Sequence, residues 1–167
     1  MIINNNKLAV KKSHVNGYGL FTTRTFKRGE FIEYVHGEKV EVRSFNHKLA
    51  QASLNWIGAS KYTWINTEHS PFRYINHSCE PNVEIKGERT VYALKNLASG
   101  EEITIDYSFT EADTGWSIEK CTCGSSHCRR KIGPITSLTE QQFKKVRALI
   151  PDKFAQVYKN YLKSFKH

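Results

Sequence analysis

A mostly β fold carrying helices at its C-terminal end is what the sequence predicts, and three observations predict it. Short apolar and aromatic segments recur over residues 8–42 and 83–107 with Gly-containing turns between them. The pattern changes after Ser137 to apolar residues at helical spacing. No apolar run approaches the roughly 18 residues that span a bilayer.

The elements follow in chain order. Leu8-Ala9-Val10 is a short apolar run, and Asn16-Gly17-Tyr18-Gly19 is a turn leading into Leu20-Phe21. Phe31-Ile32-Glu33-Tyr34-Val35 is β-prone. Residues 43–69 are mixed and include a short helix expected around Phe45–Leu54. Residues 83–107 read as a β-meander: Val83–Lys86 alternates, Gly87-Glu88 turns, Thr90–Leu94 follows, and Ser99-Gly100 turns into Ile103–Tyr107. Ser137-Leu138-Thr139-Glu140 carries the Ser-x-x-Glu capping pattern, with Thr139 as a competing cap. Phe143, Val146, Leu149 and Ile150 then mark a helix ending before Pro151. Phe154, Val157, Tyr158, Tyr161, Leu162 and Phe165 mark a second, so a helical hairpin docked on the β-body is expected.

The chain has 167 residues, 39% of them hydrophobic and 25% charged, which suits one globular domain with an appendage. The N-terminus has no signal-peptide core. The expectation is a protein of the cytoplasm or nucleus, with a secreted effector as the alternative, and no membrane partner. Its net charge of +9 is unevenly placed. Residues 1–119 hold 14 basic and 14 acidic side chains, while residues 120–167 hold 11 and 2. Either residues 120–167 form a solvated basic face, or they contact nucleic acid or an acidic protein surface. Between Asn96 and Glu119 there are six acidic residues and no basic one.

There are four cysteines, Cys79, Cys121, Cys123 and Cys128, and the last three form Cys-x-Cys-x4-Cys. Gly124, Ser125 and Ser126 let Cys128 return to the first two. A structural zinc ion takes four ligands in a tetrahedron, and Cys79 supplies the missing one. Two disulfides in any of three connectivities compete with this, as does His127 as the fourth ligand. A bridge between cysteines at i and i+2 would be strained.

One stretch brings a family into view: Arg73-Tyr74-Ile75-Asn76-His77-Ser78-Cys79-Glu80-Pro81-Asn82. It resembles the signature of SET-domain protein lysine methyltransferases, Arg-Phe-x-Asn-His-x-Cys-x-Pro-Asn. Gly17-Tyr18-Gly19-Leu20-Phe21 resembles that family's N-terminal glycine turn. Gly100–Tyr107 resembles the stretch ending in its catalytic tyrosine, and Cys121-Thr122-Cys123-Gly124 through Cys128-Arg129 its post-SET zinc segment. The resemblance covers about residues 8–135. It implies a SET-domain β-fold whose Asn76 and Tyr107 segments thread into a pseudoknot-like core. It divides the chain into a SET domain (1–117), a post-SET zinc segment (118–135) and a helical extension (136–167).

The resemblance also implies roles. S-adenosylmethionine would lie against Gly17, Tyr18 and Gly19. Arg73, Asn76 and His77 would hold its two ends, and Trp116 and Thr122 would cover its adenine. Tyr107 would be the central catalytic residue, with Asn76, His77 and Tyr34 completing the catalytic set. Zinc would be bound by Cys79, Cys121, Cys123 and Cys128. Two departures stand out. Glu33-Tyr34-Val35-His36-Gly37-Glu38 has one residue more than the family's usual run before the glycine, and Ile105 stands where Phe or Tyr is common two residues before the catalytic tyrosine. The expected substrate is the ε-amine of lysine in a basic protein, a histone-like tail or another lysine-rich protein, drawn to the acidic stretch around Tyr107. The competing reading is a catalytically weak, zinc-containing module that binds nucleic acid or chromatin-like protein.

Overall fold

The computed structural model describes residues 6–44 and 55–165. The helix expected around Phe45–Leu54 lies outside the described residues. Ten strands are present among them: β1 (Leu8–Lys12), β2 (Tyr18–Thr22), β3 (Phe31–Tyr34), β4 (Glu38–Glu41), β5 (Trp56–Ser60), β6 (Thr63–Asn66), β7 (Asn76–His77), β8 (Val83–Lys86), β9 (Thr90–Ala93) and β10 (Glu102–Ile105). They form three small sheets, ordered β1-β2-β10-β7, β3-β9-β8 and β4-β6-β5.

The alternating segments form strands because one face of each meets a shared apolar core. In β8, Val83 and Ile85 are buried while Lys86 is exposed. Leu8, Leu20, Ile32, Ile65, Val91 and Ile103 are all fully buried in that core, with contributions from every sheet. The expected meander does not hold as one unit. Strands β8 and β9 do form a hairpin, but β9 is already paired with β3 on its other side. With both edges of β9 taken, β10 crosses to the first sheet. There Ile103 faces Leu20 of β2, and Thr104 and Ile105 pair in parallel with Asn76 and His77 of β7.

Two helices close the chain, α1 (Glu140–Val146) and α2 (Asp152–Lys163), joined through a 3-10 turn at Arg147–Leu149. Thr139, not Ser137, caps α1: its hydroxyl accepts from the Gln142 amide, and the Gln142 side chain accepts from the Thr139 amide. Ser137 donates to the Pro134 carbonyl instead, and Leu138 is extended, which places the cap two residues later.

The hairpin has its own core, in which the Phe143 and Tyr158 rings stack at 4.0 Å. Tyr158 is buried and donates to the Leu138 carbonyl at 3.0 Å. Phe154 packs the hairpin onto β5 at Gly58, where a Cβ would collide with that ring and with the Thr110 carbonyl. The apolar stripe of α2 buries only its first half, since Tyr161 and Phe165 are exposed.

Candidate functional site

The parallel β7–β10 pair brings the Asn-His-x-Cys segment beside the residues leading to Tyr107. Two asparagines hold it there. Asn82 takes the place of a strand neighbour along β10: its Nδ2 donates to the Glu102 carbonyl and its Oδ1 accepts from the Thr104 amide, both at 2.8 Å. Asn76 is buried, and its Nδ2 donates to the carbonyls of Asn16 and Tyr18 and to Glu102 Oε1 at 2.7 Å. The glycine turn is thus clamped to β7 and β10. Gly17 has φ +47, which only glycine adopts cheaply. A Cβ on Gly19 would collide with the Glu102 carboxylate. The resemblance places both glycines against a ligand; at Gly19 a side chain would also require the Glu102 carboxylate, which Ser13 and Asn76 hold, to shift.

Tyr107 follows β10 directly and begins a 3-10 turn capped by Asp106, which accepts from the Ser108 amide. The Tyr107 hydroxyl donates to the Ile75 carbonyl at 2.7 Å. Burial, reinforced by the Glu102 charge, pushes its pKa well above the ordinary tyrosine range, so it remains a phenol at neutral pH. The Tyr107 amide donates to His77 Nδ1 at 3.3 Å. That acceptor role puts the proton of a neutral imidazole on Nε2, which lies 3.3 Å from Cys79 Sγ. His77 is neutral because burial, helped by the Arg129 charge and opposed by Asp106, lowers its pKa to about 4. Asp106 is buried and receives two hydrogen bonds of 2.6 Å from the Arg129 guanidinium. Burial works against the Arg129 charge, and Asp106 more than offsets it.

The cysteines converge. All four are free thiols. Ligand atoms of His77, Cys79, Cys121 and Cys123 lie within 4.8 Å of one another, a spacing that suits one tetrahedral ion. Cys128 stands beside them, its thiol donating to the Cys121 carbonyl at 3.9 Å. Backbone amides of Arg129 and Arg130 donate to the sulfurs of Cys79 and Cys128. Burial raises the Cys123 thiol, but the amides of Cys79 and Ser125 and the thiols of Cys121 and Cys128 together outweigh it and leave it at about 7. His127 is taken up at the surface by Glu80 at 2.8 Å. The donor set, thiols rich in N–H donors, fits zinc.

Two cavities meet at Tyr107, the one residue lining both among the described residues. The first, of about 250 Å³, is walled by Asn16, Asn76, His77, Thr122 and the cysteines at 121 and 123. The second, of about 320 Å³, is aromatic: Trp56, Trp64, Phe72 and Trp116 line it, with Glu111 and Asp113. Of the residues expected around one cofactor, Asn76, His77, Tyr107 and Thr122 are brought together. Gly17 and Gly19 belong to the clamped turn beside them. Arg73 and Trp116 lie on the second cavity instead. Tyr18 is exposed on β2 with its ring near Tyr74. Tyr34 lines neither cavity: it is half-exposed on β3 and packs against Phe31, because its sheet is separate from the one carrying Tyr107.

Asn82, Trp56 and the Asp106–Arg129 pair have no individual role in the sequence reading, and Glu111 is counted there only within the acidic stretch. Asp106 carried a signal, a lone acid following three strand residues of a core segment, which requires a buried cation partner.

The SET domain family model matches residues 17–108, and the chain belongs to that family. Curated relatives include histone-lysine N-methyltransferase ASHH2 of Arabidopsis thaliana, 33% identical over 73% of this chain and 8% of the relative. Trithorax of Drosophila virilis is 31% identical over 75% of this chain and 4% of its own length. The H3 lysine-36 specific histone-lysine N-methyltransferase of Candida albicans is 27% identical over 76% and 17% respectively. The chain thus spans less than a fifth of the length of these relatives. SET methyltransferases use S-adenosylmethionine. Among the described residues, no helix is long and apolar enough to cross a membrane.

Proposed function

We propose that this chain transfers methyl groups from S-adenosylmethionine to the ε-amine of lysine in a basic protein, a histone tail being the first candidate. The observation that carries this is Tyr107 standing between two cavities with different linings, one walled by the Asn76 and His77 segment, the other by aromatic rings. Asn76, His77, Thr122 and the main chain around Asn16 would hold the cofactor. When bound, it supplies an electrophilic methyl group. The aromatic cavity would admit the lysine side chain, whose amine must lose its proton before it attacks. The Tyr107 hydroxyl proton is committed to Ile75, so its oxygen is left to accept an N–H of the incoming amine and orient it. Its raised pKa argues against a role as base.

Zinc would be held by Cys79, Cys121, Cys123 and Cys128. His77 carries its proton toward Cys79 and so acts as a donor to that thiolate rather than as a ligand. The main-chain pairing of Ile118 with Ile132 closes this segment into a loop, which supports a post-SET unit near residues 118–135 ahead of the helical extension at 136–167. The metal would fix one wall of the cofactor cavity, because Cys121, Thr122 and Cys123 line it.

A nucleic-acid contact through residues 120–167 has a narrower basis than the charge count suggests. Arg129, Lys131, Lys144, Arg147 and Lys153 are in ion pairs. Lys120, Arg130, Lys145, Lys159 and Lys163 have no such pair among the described residues and would form the contact. The deciding experiment is incubation with labelled S-adenosylmethionine and a panel of histones and other basic proteins, followed by mass spectrometry. Lysine methylation that disappears in Tyr107→Phe supports the reading; no labelled product from any protein of the panel refutes it.

A further inference from the structure

The aromatic cavity contains an anion that the family resemblance does not account for. Glu111 lines it, half-buried, and its Oε1 accepts from the amides of Ala112 and Asp113 at 2.7 Å each. The Trp64 side chain hydrogen-bonds the same carboxylate. Glu111 is therefore fixed in place by N–H donors, yet among the described residues it has no ion pair with any cation. Buried carboxylates are ordinarily paired, since desolvation of an uncompensated charge is costly. Burial, only partly offset by those hydrogen bonds, pushes Glu111 up to about 7. The other charged side chains on the cavity wall are Asp113 and Arg73, and Arg73 donates to the Glu68 carbonyl. The same cavity is lined by Trp56, Trp64, Trp116, Phe72 and Tyr107, aromatic rings of the kind whose faces attract an organic cation.

We propose that Glu111 is the counter-ion for a cationic substrate side chain, an alkylammonium such as lysine's, entering the aromatic cavity. This rests on reading that cavity as the substrate side. The carboxylate holds the ammonium on arrival and selects a basic side chain over an apolar one of the same length. It is a specificity-determining residue, distinct from Tyr107, which orients the amine.

The protein contains three tryptophans, and all three line this cavity, so intrinsic fluorescence reports its occupancy. The probe is n-butylammonium, the lysine side chain itself, compared with n-butanol, its neutral counterpart. The intact protein should give a saturable change with butylammonium at concentrations where butanol gives none. Glu111→Gln should weaken the ammonium response about tenfold or more, as expected for loss of a charged hydrogen-bond partner. Glu140→Gln, which removes an exposed carboxylate on α1 outside the cavity, should retain it. The melting temperature of Glu111→Gln at pH 8 should equal or exceed the parent's, because a partly desolvated carboxylate with no ion-pair partner among the described residues is gone; a structural carboxylate would give the opposite.

Equal response to butanol, no response to butylammonium, unchanged affinity in Glu111→Gln, or equal loss in Glu140→Gln would each overturn the proposal. S-adenosylhomocysteine binding, measured alongside by calorimetry, tests the other cavity. Its absence with cation binding intact would refute the methyltransferase reading and leave the Glu111 assignment standing.

Discussion

Asp106→Asn tests whether the zinc segment is latched to the strand leading into Tyr107. Asp106 is 2% exposed and receives two guanidinium hydrogen bonds of 2.6 Å, plus one from the Ser108 amide at 3.1 Å. Asparagine is nearly the same size, so packing is preserved and the charge is what changes. Arg129, whose side chain is 16% exposed, is left with a largely desolvated charge and no anion. Removing one partner of such a pair costs about 3–5 kcal/mol. For a chain of 167 residues, each kcal/mol moves the melting temperature by about 2–4 °C, so a fall of roughly 6–20 °C is expected. Calorimetry at fixed protein and zinc concentrations measures it, since metal linkage would otherwise shift the transition. Adding Arg129→Met should recover part of the loss by removing the stranded cation. A drop under about 1 kcal/mol, the scale of an exposed pair, would refute the latch. So would a double variant less stable than the sum of the single changes.

Tyr107→Phe should lower methylation by about a hundredfold or more while S-adenosylhomocysteine affinity, read by calorimetry, stays within a few-fold, because only the orienting hydroxyl is lost. Metal analysis should give about one zinc per chain; Cys79→Ser should lower it and His127→Ala should not, since His127 is engaged by Glu80. Glu111 has a raised pKa, to about 7, so folding favours its protonated form; its contribution is fully present below about pH 4.5 and is lost as pH rises through 7. The stability of Glu111→Gln relative to the parent should therefore grow between pH 5 and 8 in parallel denaturant titrations, and a constant difference would count against the cause given. Parent and variant share the same metal ligands, so metal linkage cancels from the comparison.

What was legible in the sequence was local. Period-two alternation marked β8 and β9, helical spacing marked α1 and α2, and the close Cys-x-Cys-x4-Cys run marked a metal-type cluster, because short-range geometry sets each of these. The motifs also named Asn76, His77 and Tyr107, whose segments pair in the structure. Other features depended on contacts distant in sequence. Nothing in residues 99–107 says that β10 abandons β9 for β2 and β7; that follows from β3 already occupying the free edge of β9. Tyr34 and Trp116 are plausible neighbours of Tyr107 on sequence grounds, yet only Trp116 shares a cavity with it. The excess of basic residues after 119 was countable, but whether each charge is spent inside the protein is decided by partners such as Asp106 and Glu88 from other segments. The charge of Glu111 was visible in the sequence from the start. Its isolation among aromatic rings was not, because burial and pairing are properties of the assembled core rather than of the residue.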